Sequence, residues 1–211
     1  MPNVANFLPT ISAAIGGFSP QNYVWRICIS LVAGIRLMMA FSYYQWHLRV
    51  NMGLYHLLYK RLVMFAVLCY VIENIALVTL TSVSSTDNFS IHENSFIVFM
   101  VCSLIYMLLS CCLIKWSHLS GAYKVTPTDV RHFHMKTFLF VFNISVFLFS
   151  VYLYFRHNAY CEPYIYSWFA LGEYLTVLSN IAFHGFCCID FSQYSFALVP
   201  TEDVQTGKFK N

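Results

Sequence analysis

The sequence predicts an all-α protein, a polytopic bundle of transmembrane helices that forms one integral-membrane domain over residues 1–211. Three observations carry this reading. The chain is 59% hydrophobic, 18% aromatic and only 10% charged, whereas a soluble domain has about 25% charged residues. Apolar runs of span length recur, separated by short polar connections. No stretch alternates as barrel strands do, so helices are the form in which a lipid-embedded backbone satisfies its own polar groups.

Five spans are expected, at 22–46, 61–84, 95–116, 136–155 and 164–189. Each is long enough to cross about 30 Å of hydrocarbon at about 1.5 Å per residue. The first has Tyr23 and Trp25 near one end, Tyr43, Tyr44 and Trp46 near the other, and Arg36 between. Aromatics at both ends suit the membrane interface. The second carries Glu73-Asn74 at mid-run, and the last carries Glu173, Asn180 and His184. The third and fourth have no Asp, Glu, Lys, Arg or His at mid-span. Residues 1–20 contain no Lys or Arg and no apolar core with a small-residue cleavage site, so no secretory signal is expected. A net charge of +3 is too small and too dispersed to argue for nucleic acid.

The connections alternate in charge. Arg49, Lys60 and Arg61 separate the first two spans. Lys115, Lys124, Arg131 and Lys136 flank the next connection on that side, and Lys208 and Lys210 follow the last span. By the positive-inside rule this side is cytosolic. Residues 1–21, 85–94 and 156–163 then face a lumen or the exterior. An odd span count with this start calls for a helix ahead of residue 1, or for a tail short enough to cross unaided.

Arg36, Glu73 and Glu173 all fall in the middle third of the bilayer. A charge at that depth costs at least about 2.5–3.5 kcal/mol, so such groups face a partner, water or a ligand. An Arg–Glu contact would relieve both charges. Two uses are open for it: a pair that sets helix register, or a polar cavity. Glu173, Asn180 and His184 share one stripe at i, i+7 and i+11 that should face the bundle interior. Glu173 and His184 are about three turns apart, beyond the reach of a shared ion, so no metal site is expected.

Two luminal connections each hold a His and a Glu: His92-Glu93, and His157 with Glu162. An imidazole held by a carboxylate can serve as a general base. Neither a Gly-x-Ser-x-Gly nor a His-x-x-x-x-Asp signature is present, so short solvated turns are the plain alternative. Asn88-Phe89-Ser90 is a glycosylation sequon in a luminal connection.

Several blocks resemble the Frag1/DRAM/Sfk1 family. They are Asn6-Phe-Leu-Pro-Thr-Ile-Ser-Ala-Ala-Ile-Gly-Gly17, Val71-Ile-Glu-Asn-Ile-Ala-Leu77, Phe89-Ser-Ile-His-Glu-Asn94, Tyr154-Phe-Arg-His-Asn-Ala-Tyr-Cys-Glu162 and Asn180-Ile-Ala-Phe-His184. They cover nearly the whole chain. The resemblance implies a six-span fold, with one helix before the block that opens this chain and a luminal Cys ahead of the pair seen here as Pro2-Asn3. An N-terminally short form is therefore expected, in which Cys161 lacks that partner.

The resemblance also implies a role in fatty-acid remodelling of GPI anchors, with lyso-GPI reacylated by a saturated chain at the luminal leaflet of the Golgi, or alternatively in the endoplasmic reticulum. The partners are then lyso-GPI, GPI-anchored proteins and membrane lipids. No bound cofactor is expected; the acyl donor would be an acyl-CoA or a phospholipid. Alternatives are a non-catalytic subunit that presents lipid to a separate acyltransferase, and a lipid or proton transporter. For an enzyme, position alone nominates His92 or His157 as base, oriented by Glu93 or Glu162. Arg156 would meet the lipid phosphate. Arg36, Glu73 and Glu173, with Asn180 and His184, would shape the lipid cavity.

Overall fold

A computed structural model describes residues 5–121 and 123–192, and among these all regular structure is helical. A short α1 (Ile11–Ile15) precedes α2 (Gln21–Leu48), α3 (His56–Ser82), α4 (Phe89–Leu119), α5 (Pro127–Tyr160), α6 (Ile165–Gly185) and a final turn α7 (Cys187–Asp190). Lys208 and Lys210, counted above on the basic side, lie outside the described residues, as do Pro2 and Asn3.

Four helices are long and apolar enough to cross a membrane: α2, α3 with its preceding 3-10 turn, α4 and α5. The sequence places a fifth span at 164–189. There α6 has 21 residues, which is span length, but it carries Glu173, Ser179 and Asn180 and is not among those four. Its polar side chains turn inward, since Ser167, Thr176, Ser179 and Asn180 are all buried.

Helices overrun the expected spans because hydropathy marks hydrocarbon, not helix ends. The Asn88 side chain accepts from the Ile91 N–H at 3.1 Å and starts α4 six residues ahead of Ser95. Thr126 and Asp129 form a capping box with Pro127 at the first helical position, which starts α5 well before Lys136. At its other end α5 runs to Tyr160 and stops at Cys161, whose φ of 51° is left-handed. Thus His92 and Glu93 lie in the opening turns of α4, and Arg156 and His157 in the last turns of α5. These residues are helical, not loop.

The packing is inside-out relative to a soluble protein. Leu31, Ile35, Phe65, Phe138 and Leu148 stand on the outer faces, about half or more exposed. Glu73, Ser103, Ser117, Asn143 and Ser167 are fully buried. Lipid tails give apolar side chains no reason to leave the exterior, so the helix contacts rest on small residues and interhelical hydrogen bonds. The α5–α6 seam shows this. Asn143 Nδ2 donates to the Thr176 carbonyl and to Ser179 Oγ, both at 2.8 Å. At Gly172 the backbones approach closely, and a Cβ there would collide with the Ser150 side chain. The chief helix pairings are α2 with α3, α3 with α4, and α5 with α6.

Three segments meet at the end away from the lysines. The Tyr164 N–H donates to the Ala5 carbonyl at 3.0 Å. The Phe7 and Leu8 N–H groups both donate to Ser167 Oγ, at 2.9 and 3.2 Å. Arg26 approaches the Thr81 carbonyl and Asp87. The N-terminal strap, the α3–α4 turn and the α5–α6 turn therefore share one face, the grouping that charge placement indicates.

Gly172→Leu is expected to cost about 1–3 kcal/mol by overpacking the α5–α6 seam. Thermal unfolding in detergent checks this, with Leu178→Ala on the exposed face of the same helix as the control.

Candidate functional site

The centre of the bundle is organised around one carboxylate oxygen. Glu73 Oε1 accepts from Arg36 Nη2 at 2.6 Å, His184 Nε2 at 3.0 Å and Asn180 Nδ2 at 3.1 Å. Because a carboxylate only accepts, His184 Nε2 carries its proton toward Glu73. Asn180 Nδ2 also donates to Ser103 Oγ at 2.6 Å, which brings in α4. Four helices, α2, α3, α4 and α6, are thereby joined through side chains. Around them the Tyr70, Tyr106 and His184 rings stack, with centroids 4.5–5.3 Å apart. The Arg36 guanidinium lies 5.3 Å from the Tyr70 ring centroid, within cation–π range. The neighbouring Asn74 donates to the Ala33 carbonyl at 2.9 Å.

A cavity of about 190 Å³ runs from the lysine-poor end down to this cluster. Its walls include Val32, Leu77, Phe99 and Ile181, and its inner end meets Arg36 and Asn180. Ser12, Arg26 and His92 line it on the side of the strap. The volume is below the ~300–1,000 Å³ of a drug-sized ligand site. It fits a segment of an alkyl chain better than a whole lipid. Glu173 lies apart from the Glu73 cluster and faces the backbone N–H of Ile11. The helical stripe of Glu173, Asn180 and His184 therefore faces inward but serves two places, cavity and cluster.

His92 has two partners. Its Nδ1 is 2.8 Å from the Val83 carbonyl oxygen, and its Nε2 is 2.8 Å from Ser12 Oγ. The carbonyl accepts only, so Nδ1 bears the proton and Nε2 accepts from the serine hydroxyl. Glu93 is exposed and does not hold the ring. Neighbours on a helix point about 100° apart, so residues i and i+1 do not face each other. The backbone of Val83 takes the orienting place that sequence reasoning gives to Glu93.

At the α5–α6 turn, Glu162 pairs with Arg156 rather than with His157. Arg156 Nε and Nη2 meet the two carboxylate oxygens at 2.7 and 3.0 Å. This two-pronged contact holds the Glu162 carboxyl below its ordinary range. The His157 ring lies 5.3 Å from that of Tyr166. Arg156, His157 and Glu162 are not among the residues lining the cavity. Asn88 is exposed and its side-chain oxygen caps α4.

Sequence reasoning misses two cavity residues. Ser12 lies 80 positions from His92, and no local pattern marks it. Arg26 sits at the head of a span, where a basic residue looks like an interface anchor. Its ion pair with Asp87 is long, at 3.5 Å, and half exposed. At the opposite, lysine-rich end a second cavity of about 650 Å³ lies beside Lys136, Asp190 and Tyr43, which bond to one another. Among the described residues no group of three or more His, Cys, Asp or Glu is placed to hold a metal ion.

Arg36→Met should cost about 3–5 kcal/mol, because it leaves a buried carboxylate without its countercharge. The double variant Arg36→Met/Glu73→Gln should recover much of that loss. A double-mutant cycle on unfolding in detergent reads the coupling.

The family model described as "Frag1/DRAM/Sfk1/Cwh43P N-terminal domain" matches residues 1–194. The chain is 41% identical over 210 residues to "Post-GPI attachment to proteins factor 2" of Caenorhabditis elegans, covering 98% of this chain and 77% of that one. It is 39% identical over 197 residues to the protein of the same name in Caenorhabditis briggsae, covering 92% and 74%. It is 37% identical over 189 residues to "Acyltransferase PGAP2" of Xenopus tropicalis, covering 90% and 73%. No solved structure matches significantly. With a family model spanning all but the last residues, and relatives of this similarity along most of their length, the chain belongs to the Frag1/DRAM/Sfk1 family.

Proposed function

We propose that this protein remodels GPI-anchor lipids by adding a saturated acyl chain to a lyso-GPI at the luminal leaflet of the Golgi membrane. The observation that carries the reading is the cavity: an apolar slot at the lysine-poor end of the bundle, with an acceptor imidazole nitrogen and a loosely paired guanidinium on its wall. A segment of an acyl chain fits the slot, a hydroxyl can give its proton to His92 Nε2, and a phosphate can take Arg26. The relatives' names support the direction, since one set refers to a step after GPI attachment and another to acyl transfer.

The parts then take these roles. His92 is the general base, with its tautomer held by the Val83 carbonyl. Arg26 meets the phosphate of the lyso-lipid, because a guanidinium forks onto phosphate oxygens and this one has only distant partners. The alkyl tail lies along Val32, Leu77, Phe99 and Ile181. Arg36, Glu73, Asn180 and His184 keep the inner end of the slot rigid, and Glu173 borders it where α1 approaches. Arg156 and Glu162 hold the α5–α6 turn beside the strap. The substrate is a lyso-GPI, free or on a GPI-anchored protein. The donor is a saturated acyl ester or thioester, from phospholipid or acyl-CoA.

Purified protein in liposomes, given lyso-GPI and a saturated acyl-CoA or donor phospholipid, should yield diacyl product by mass spectrometry. His92→Ala should lower the rate by roughly 10²–10⁴-fold, the usual worth of a positioned base. Lyso-GPI binding with no transfer from either donor would assign the protein to lipid presentation instead.

Arg26→Ala should raise the KM for lyso-GPI roughly tenfold or more, since a hydrogen bond to a charged group is worth about 1.5–3 kcal/mol. Arg156→Ala should leave that KM within about twofold, its guanidinium being committed to Glu162.

A further inference from the structure

We infer that Ser12 is a nucleophile that carries the acyl chain covalently between donor and acceptor. The inference rests on the acyl-transfer reading above and deepens it. The geometry has three parts. Ser12 Oγ lies 2.8 Å from His92 Nε2, within reach for proton transfer. The far nitrogen of the same ring is fixed by the Val83 carbonyl at 2.8 Å, so in the neutral ring the near nitrogen is the unprotonated one. Both side chains line the cavity and both are half-buried, which leaves the pair open to a ligand lying there. Nucleophile, base and orienting acceptor form a chain of the kind that activates a hydroxyl. Here a main-chain oxygen takes the place of the carboxylate.

Ser12 is held there by more than its bond to His92. Thr10 caps α1 through the Ala13 N–H, and the Phe7 and Leu8 N–H groups are tied to Ser167 of α6. The strap so positioned brings the hydroxyl of Ser12 to a ring at the start of α4.

The chemistry balances in two half-reactions. Ser12 Oγ attacks the carbonyl carbon of the donor while His92 Nε2 takes the hydroxyl proton. The C–S bond of a thioester, or the C–O bond of an ester, breaks, and the leaving thiol or alcohol departs with that proton. The acyl chain is now an ester on Ser12, its tail in the slot. The free hydroxyl of the lyso-lipid then attacks that ester and gives its proton to His92 Nε2. Ser12 Oγ leaves and recovers the proton. No redox step and no other co-reactant is needed.

The test is to load purified wild-type protein with a saturated acyl-CoA, or a donor phospholipid, without acceptor. Intact-mass and peptide mass spectrometry should find one acyl group on Ser12, and adding lyso-GPI should discharge it into diacyl product. Ser12→Ala should lose the adduct and at least ~100-fold of the transfer rate, and Ser12→Ala/His92→Ala should fall little further, because groups that act as a unit are not additive. Ser12→Cys should change the linkage to a thioester that neutral hydroxylamine cleaves. Melting temperatures close to wild type certify the variants as folded; the wild-type adduct does not depend on them. Wild type that transfers acyl chains with no Ser12 adduct, while Ser12→Ala transfers at the normal rate, overturns the inference and leaves the proposed function standing. Wild type that neither labels nor transfers overturns both.

Discussion

A single carboxylate oxygen at the middle of the bundle sets the arrangement of its surroundings. Glu73 is fully buried, and its Oε1 accepts from α2 through Arg36 and from α6 through Asn180 and His184. Lipid exerts no hydrophobic squeeze on helices, so this kind of polar contact must supply much of the specificity of their pairing. A buried ion pair is weak support for stability on its own, because desolvation offsets most of its attraction. Its value here is register. A helix that slides by one residue loses its donor, and an unpaired charge is left in hydrocarbon.

From that point the slot follows. α2, α3, α4 and α6 are drawn together at the cluster, and the slot lies between them on the lysine-poor side. The Tyr70, Tyr106 and His184 rings stack beside the cluster and stay out of the slot's lining. The α5–α6 seam uses a different device, close backbone approach at Gly172 together with the double donation from Asn143.

How much of this is legible in the sequence depends on distance along the chain. Span-length apolar runs are local, and each of the first four overlaps one of the helices α2 to α5. Bilayer depth brings Arg36 and Glu73 to the same level, and the structure joins them. Helical periodicity turns Asn180 and His184 inward. Helix ends are harder, because caps such as Asn88 and Thr126 extend a helix beyond its hydrocarbon portion. Partnerships read from adjacency go astray for the same reason. Glu93 follows His92 on a helix and so points elsewhere, and Glu162 lies past a left-handed turn where Arg156 reaches it first. Ser12 is beyond local reading altogether: a serine in a polar-apolar segment is commonplace, and only the folded strap brings it to α4.

The strap also joins two helices at the reacting pair. Ala5 and Phe7, just ahead of Ser12, are tied to α6 and its lead-in through Tyr164 and Ser167, while His92 sits in the first turn of α4. The 2.8 Å separation of Ser12 and His92 is thus a gauge of how those two helices stand relative to each other. A tilt of α6 by a few degrees, pivoting on the Asn180–Ser103 contact, would be magnified along the lever arm of the helix and part the hydroxyl from the imidazole. The acylating pair is therefore split between two helices, and any change in the spacing of α4 and α6 at that end would alter the distance from hydroxyl to ring.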